Sequence, residues 1–196
     1  MWSHLAPAFR VTIVFTVLTG GLYPAAVTAV SSVLFPRQAH GSLLTRDGVV
    51  VGSALIAQNF TRPEYFHPRP SGVDYNAAST GGTNYGPSNP DHLTAVQERL
   101  DVVVKQEGAT AGQVPSEMVT ASGAGLDPHI PPSAADLQAA RVASARGIPA
   151  ERVRELVRAH TEPPAFGFLG RARVNVLELN LALDASLGAP KTGDGK

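Results

Sequence analysis

An uncharged stretch near the amino end constrains the fold of this chain more than any other feature. No charged side chain lies between Val11 and Pro36, and Arg10 and Arg37 stand at its two edges. A helix of this length measures about 39 Å, which is enough to cross a hydrocarbon core of ~30 Å with some tilt. The sequence therefore predicts one transmembrane helix over residues 11–35, preceded by a short flank of residues 1–10.

A cleaved signal peptide is the main alternative interpretation of this stretch. Val27-Thr28-Ala29 has the small residues of a cleavage site, and cleavage there would release a secreted binding module. The apolar core of a signal peptide is only about 7–15 residues long, and this stretch is longer. We therefore favour an uncleaved membrane anchor.

Two features of the predicted span concern its shape and its neighbours. Pro24 has no N–H and crowds the carbonyl group of Gly20, which predicts a kink at this point. Gly21, Ala25 and Ala29 recur every four residues and form a flat strip on one helix face. Because such strips let two helices approach closely in lipid, we expect a partner helix there, although small residues are also common in membrane helices generally.

The rest of the chain has the size of one compact domain, since about 160 residues follow the span. The chain has 16 Lys and Arg against 16 Asp and Glu, and this zero net charge argues against binding to nucleic acid. It has no Cys and its 6 His are scattered, so neither a disulfide framework nor a metal site is predicted.

Local signals predict an α/β (α+β) domain over residues 36–187 and a flexible C-terminus over residues 188–196. Asp47-Gly48 supplies the turn of a hairpin that begins at Leu43, and its second strand is predicted to continue to Ile56. Helices are predicted after Asn89-Pro90, from Ser133 to Arg146, after Pro149, and from Val174 to Asp184, although the leucines of this last segment also alternate as in a strand.

Between the hairpin and the first of these helices, residues 58–90 are rich in Pro, Gly, Asn and aromatic residues. Low-complexity linkers lack such regularly spaced aromatics, so the composition predicts an ordered, packed loop region. Within it, Gly81 to Gly86 could cradle an anion, but the segment lacks the Gly-Lys-Ser/Thr ending of a phosphate loop. Tight turns and close backbone packing explain these glycines better.

Two further groups of residues invite a chemical interpretation. Ser122, Asp127 and His129 are close in sequence, but a hydrolytic triad normally joins distant loops, so local capping explains them better. Arg69, with Asp74 nearby, could form a rigid ion pair or contact a partner. No residue set supports a catalytic proposal.

Motifs nevertheless follow one another along nearly the whole chain after the span. They are Gly52–Phe60, Tyr65–Ser71, Tyr75-Asn76, Gly81–Asn84, Gly86–Asn89, Val119–Gly123, Gly125–Ile130, Gln138, Arg141–Ala143, Ala145–Gly147 and Val174–Asn180. With the N-terminal span, this series resembles the C subunit of the Kdp-type potassium-transporting ATPase. Gly72 and Ala124 depart from the residues usual in that family, and neither removes a group on which a known chemistry depends.

The resemblance implies an accessory, non-catalytic subunit of a bacterial inner-membrane complex. Its partners would be a potassium-channel-like subunit and an ATP-hydrolysing P-type ATPase subunit. It would have no cofactor of its own and would meet ATP only through the complex. Two roles are implied: a structural clamp outside the membrane, and a catalytic chaperone that promotes ATP binding. For the second role, Ser122, Gly123, Gly125 and Gln138 resemble a transporter signature and are the nucleotide-related candidates.

The predicted side of the membrane differs between the two lines of reasoning. Charges flanking the span lean weakly toward a cytoplasmic domain, whereas the resemblance implies a periplasmic one, which we prefer. We expect the span to dock through Gly21, Ala25 and Ala29. In the loop region, the candidates for contact with partner subunits are Tyr65, Phe66, Arg69 and Asn84.

Overall fold

The structure is a computed structural model that describes residues 2–188, so the predicted flexible C-terminus lies outside the described residues from position 189 onward. The chain divides into two compact units, one ending at Val51 and the other beginning at Gly52. The second unit therefore begins later along the chain than the predicted domain start at residue 36.

A continuous helical run dominates the first unit. It consists of α1 (Trp2–Val17), a π-helical turn (Leu18–Leu22) and α2 (Tyr23–Leu34). The helix thus begins at Trp2, within the predicted flank, instead of at Val11. Within its part from Ser3 to Leu34, an 18-residue stretch has a mean hydropathy of 1.7, and the helix is long and apolar enough to cross a membrane.

The π-helical turn lies directly before Pro24. The backbone N–H of Tyr23 donates to the carbonyl oxygen of Leu18, five residues back, where a regular α-helix would use the fourth. In a regular helix the Pro24 ring would crowd the carbonyl group of Gly20, and the extra residue in the turn relieves that contact. The local disturbance predicted at Pro24 therefore takes the form of a widened turn.

A short helix and a hairpin follow the long helical run. They are α3 (Pro36–Ala39), β1 (Leu43–Arg46) and β2 (Val49–Ser53), and the two strands form a two-stranded sheet. Asp47 and Gly48 both have positive φ, 51° and 78°, as a two-residue hairpin turn requires. The hairpin is confirmed, but β2 ends at Ser53 and a turn replaces its predicted continuation to Ile56.

The second unit combines helices with a small antiparallel sheet. Its elements are α4 (Pro90–Glu107), β3 (His129–Ile130), α5 (Pro132–Arg146), α6 (Ala150–Ala159), β4 (Thr161–Glu162), β5 (Arg173–Asn175) and α7 (Val176–Leu187). The strand order is β3-β5-β4, with Ile130 and Thr161 both opposite Val174. This arrangement is the α+β form of the predicted fold class.

Helix ends follow the local sequence signals closely. The side chain of Asn89 accepts a hydrogen bond from the N–H of Asp91 at the start of α4, and Gly108 ends that helix in the left-handed conformation. Asn175 accepts from the N–H of Glu178 in the same way and starts α7. The helical interpretation of the segment from Val174 to Asp184 is therefore confirmed from Val176 onward, whereas Val174 and Asn175 belong to β5.

The core of the second unit is built around α5. The buried residues of α5 are mostly small, namely Ala134, Ala135, Gln138, Ala139, Val142 and Ala143. Val153 and Val157 of α6 and Leu179 and Leu183 of α7 belong to the same core. Phe66, from the region between β2 and α4 that has neither helix nor strand, is completely buried there too. The loop region is therefore packed, as its composition predicts.

Candidate functional site

Two amide side chains bind the backbone of the packed loop at Phe66 and His67. Asn180 of α7 accepts a hydrogen bond from the N–H of Phe66 (2.8 Å) and donates one to its carbonyl oxygen (3.0 Å). Gln138 of α5 does the same for His67, at 2.8 and 3.1 Å. Both amides are buried. A buried backbone group without a hydrogen-bond partner costs free energy. These two amides supply the hydrogen bonds that a neighbouring strand would otherwise make to the loop.

Arg141 of α5 binds the same loop a few residues earlier. Its Nη1 donates to the carbonyl oxygens of Pro63 (2.6 Å) and Tyr65 (3.0 Å). Its Nε donates to Glu107 at the end of α4 (2.9 Å), and its Nη2 donates to the Gln138 side chain (2.8 Å). This one guanidinium group therefore ties together the loop, α4 and α5.

Arg146, one and a half turns further along α5, makes a second buried connection. Its Nε donates to the carbonyl oxygen of Glu64 (2.8 Å) and its Nη2 donates to Asp184 of α7 (2.8 Å). The guanidinium group also lies 5.0 Å from the centre of the Tyr65 ring, whose hydroxyl donates to Asp184 (3.1 Å). Burial raises the pKa of Tyr65, so this hydroxyl stays a hydrogen-bond donor at neutral pH.

These contacts change the set of residues that could reach a partner. The ring of Phe66 is completely enclosed by the core. We therefore remove it from the predicted contact surface, because a buried ring cannot bind another subunit. Tyr65 and Arg69 are half-buried and Asn84 is exposed, and these three remain predicted contacts.

Arg69 forms its ion pair with Asp127 and not with the nearby Asp74. Its Nη1 donates to Asp127 Oδ2 at 3.0 Å, and the backbone N–H of His129 donates to Oδ1 at 3.0 Å. Burial opposes ionisation of Asp127, but the contacts with His129 and Arg69 outweigh it and hold the pKa of this carboxyl below its usual value. Since Asp127 is committed to these two partners, the hydrolase interpretation gains no support.

Three of the nucleotide-related candidates lie in one turn against the packed loop. The N–H of Ser122 donates to the carbonyl oxygen of Pro70 (3.1 Å), and the N–H of Gly125 donates back to Ser122 (3.2 Å). Gly123 is exposed between them. Gln138 makes its side-chain hydrogen bonds to His67 and Arg141 instead of to this turn. The nucleotide role of the four residues stays a prediction.

The glycines of this turn allow two backbones to approach closely. Gly125 has a φ of +69°, and a Cβ there would overlap the Val73 side chain and lie 3.0 Å from the carbonyl oxygen of Gly81. A Cβ on Gly82 would lie 2.6 Å from the carbonyl oxygen of Gly123. These contacts favour the packing explanation for both glycine-rich segments over an anion cradle.

Gly125→Ala is expected to lower the free energy of unfolding by about 2–3 kcal/mol, because a methyl group is forced into a packed contact at a left-handed position. Gly123→Ala is the matched control: no atom lies within 4 Å of its added Cβ and its φ is ordinary. Thermal unfolding of the purified chain measures both. Equal stability of the two variants would contradict the packing role of Gly125.

A cleft of about 560 Å³ lies between α4 and the packed loop. It is lined by Asn59, Phe60, Thr61, His67, Pro68, Pro70, Tyr75, Glu98, Arg99, Val102, Val103, Gln106, Glu107 and Met118. Within the described residues, the buried Oε2 of Glu107 has no hydrogen-bond partner, and burial raises the pKa of this carboxyl although Arg141 opposes the shift. The cleft has the size of a small-molecule site.

The long apolar helix of the first unit also has a groove. About 420 Å³ of open space is bounded by Thr16, Val17, Gly20, Gly21, Leu22 and Ala25. Ala29 instead lines a separate groove with Val30, Val33 and Leu34. Because each step of four residues turns a helix by about 40° beyond a full circle, a strip with this spacing drifts around the axis. The structure thus brings Gly21 and Ala25 together and leaves Ala29 outside their groove.

Sequence reasoning singled out Gln138 as a nucleotide-related candidate, but it identified no polar side chain as holding the loop. Arg141, Arg146 and Asn180 occur only as parts of the motifs, and Glu107 was not among the candidates. The sequence did contain a signal for Gln138, which lies four residues from both Ala134 and Val142 on the buried face of α5. A polar residue on such a face needs a partner in the core.

Among residues 2–188, no group of three or more His, Cys, Asp and Glu side chains could hold a metal ion.

Comparison with known proteins gives consistent results over nearly the whole chain. The family model described as "KdpC: K+-transporting ATPase, c chain" matches residues 5–185. A potassium-transporting ATPase KdpC subunit from Polaromonas naphthalenivorans is 55% identical over 188 residues, covering 94% of this chain and 96% of that protein. Subunits with the same name from Cereibacter sphaeroides and Methylococcus capsulatus are 52% and 50% identical, covering 95% and 94% of this chain and 99% of each relative.

Proposed function

The chain belongs to the family of c chains of the K+-transporting ATPase, and from this premise we propose that it is a non-catalytic subunit that stabilises the potassium-uptake complex and promotes ATP binding by the ATP-hydrolysing subunit. Its partners are that subunit and a potassium-channel-like subunit. It acts at the bacterial inner membrane, with the second unit on the periplasmic side.

The long apolar helix supports attachment to the membrane and docking in the complex. Large apolar side chains such as Phe15, Leu22 and Val33 are exposed along it, as suits a helix surrounded by lipid or by other helices. The groove at Gly21 and Ala25 offers a partner helix a close approach, which is the main source of helix association in lipid.

The commitment of Gln138 to the core is the observation that supports an indirect action on ATP. Both ends of its amide bind the backbone of His67, and the side chain is completely buried. A side chain held in this way is unavailable to a nucleotide. The turn at Ser122 and Gly125 is likewise occupied by packing against the loop. These features support an indirect influence on ATP.

An indirect influence requires coupling across the membrane. ATP is cytoplasmic, so a periplasmic unit cannot touch it. The effect on ATP affinity must then pass as a coupling free energy through the membrane helices. The π-helical turn beside the Gly21 groove supports this route, because such turns often mark functional positions in helices.

Titration of the full-length chain in detergent with ATP is expected to give no binding heat. The complete ATPase should have a lower KM for ATP than a preparation that lacks this chain, by about 5–150-fold, the range typical of coupling between sites. Adding the chain back should restore the lower KM. Clear binding heat would contradict the indirect mechanism, and an unchanged KM would contradict the promotion of ATP binding.

A further inference from the structure

A short apolar loop projects from the second unit between β4 and β5. Its sequence from position 163 to 170 is Pro-Pro-Ala-Phe-Gly-Phe-Leu-Gly. Phe166 is 90% exposed, Phe168 80% and Leu169 59%. Folding normally removes such large apolar side chains from water, and their concentration in one loop marks a surface that another molecule covers. We call residues 163–170 the aromatic tip.

Backbone hydrogen bonds hold the aromatic tip in one conformation. Ala165 and Leu169 exchange two backbone hydrogen bonds of 2.9 Å, and the N–H of Gly167 donates to the carbonyl oxygen of Pro164 at 3.0 Å. Phe166 has a φ of +54°, a conformation that costs free energy for a bulky residue. A preformed and locally strained loop suits a pocket of matching shape, because less ordering is needed on binding.

The charges around the aromatic tip favour a protein over a lipid surface as its partner. The tip itself has no charged residue. At its base, Arg173 is paired with Glu162 at 2.8 Å, and Arg171 lies 3.7 Å from Glu117. Surfaces that bind anionic bilayers use unbalanced clusters of Lys and Arg, and this one is balanced.

The apolar area is sufficient for a specific contact. Two phenylalanine rings and a leucine bury roughly 400 Å² when covered, about half of what one partner contributes to a protein interface of standard size. Aromatic side chains that enter a desolvated pocket are also the residues that carry most binding energy in such interfaces.

We infer that the aromatic tip docks into an apolar pocket with a polar rim on another subunit of the potassium-transporting ATPase. This inference rests on the proposed function, because it requires that the chain is assembled in that complex. It adds a second point of attachment to the groove in the membrane helix.

Photo-crosslinking within the purified complex tests the inference directly. The full chain carries p-benzoylphenylalanine in place of Phe168, and the crosslinked product is identified by mass spectrometry. We expect a covalent product with another protein subunit. Products with lipid only, with a second copy of this chain, or none at all would overturn the inference.

A paired substitution gives an independent measurement. The double variant Phe166→Ser with Phe168→Ser should dissociate from the complex about tenfold faster or more, because two anchoring rings are lost. Leu93→Ser on α4, also an exposed apolar position, is the control and should dissociate at the original rate. Equal rates for all three proteins would overturn the docking role. If the chain is retained but the tip reaches only lipid, the proposed function stands; if the chain is absent from the purified ATPase, both fail.

Discussion

Arg146→Met is expected to lower the free energy of unfolding of the second unit by about 3–5 kcal/mol, which is the usual cost of removing one partner of a buried ion pair. The side chains of Arg146 and Asp184 are only 4% and 5% exposed. The substitution removes a buried guanidinium 2.8 Å from the carboxylate of Asp184 and leaves the carbonyl oxygen of Glu64 without this donor. Thermal unfolding of the full chain in detergent should show a fall in Tm of roughly 10 °C.

Arg158→Met provides a matched control on α6. Arg158 is paired with Glu151 at 2.9 Å, but both side chains are about 60% exposed, and such surface pairs contribute about 0–1 kcal/mol. A double variant, Arg146→Met with Asp184→Leu, should be less destabilised than the sum of its single changes, because both partners of one ion pair are removed together. If Arg146→Met lowered the free energy of unfolding by no more than Arg158→Met does, the buried Arg146–Asp184 pair would not stabilise the fold as expected.

Ala25→Leu is expected to remove most of this chain from the purified ATPase. The larger side chain fills the groove bounded by Gly21, Leu22 and Ala25, so a partner helix can no longer approach. In lipid, helices associate mainly through such packing, and a loss of about 1.4 kcal/mol already lowers affinity tenfold. The measurement is the ratio of this chain to the other subunits after affinity purification in detergent.

Ala26→Leu is the control for this experiment. It makes the same change one residue later, about 100° around the helix axis and away from the groove, and should leave the ratio unchanged. A stoichiometric complex with Ala25→Leu would show that the groove is not the docking face. If both variants lost this chain from the complex equally, the groove would again not be the docking face, because docking through one face predicts that only Ala25→Leu has an effect.

The accuracy of the sequence predictions depends on how far apart the interacting residues lie. Asn89 and Gly108 delimit α4, and Asp47-Gly48 forms the hairpin turn, because each signal acts within a few residues. For Arg69 the sequence offered the nearby Asp74 as a possible ion-pair partner, with contact to another subunit as the alternative, and the fold pairs it with Asp127, 58 residues away. Such long-range pairings follow from the packing of whole elements, which local patterns do not specify.

The candidate site shows the same division. The packed character of the loop region followed from its composition. The amides and arginines that hold the loop come from α5 and α7, far away in sequence: Gln138 lies 71 residues from His67, and Asn180 lies 114 residues from Phe66. Family membership was recognised from motifs whose residues mostly hold the fold together and form no catalytic pattern. The exposed tip at Phe166 and Phe168 resembles ordinary core-forming sequence, and only its position in the fold reveals its exposure.

The widened turn at Leu18–Leu22 acts as a one-residue insertion in an otherwise regular helix. Side chains before and after it are out of phase by about 100°, so the two halves of the helix present different faces to a single neighbour. Deleting Thr19 would remove the extra residue, rotate everything before the deletion relative to Ala25, and bring back the crowding between Pro24 and the carbonyl group of Gly20. The insertion thus gives one helix two differently directed faces, one before and one after Leu18–Leu22.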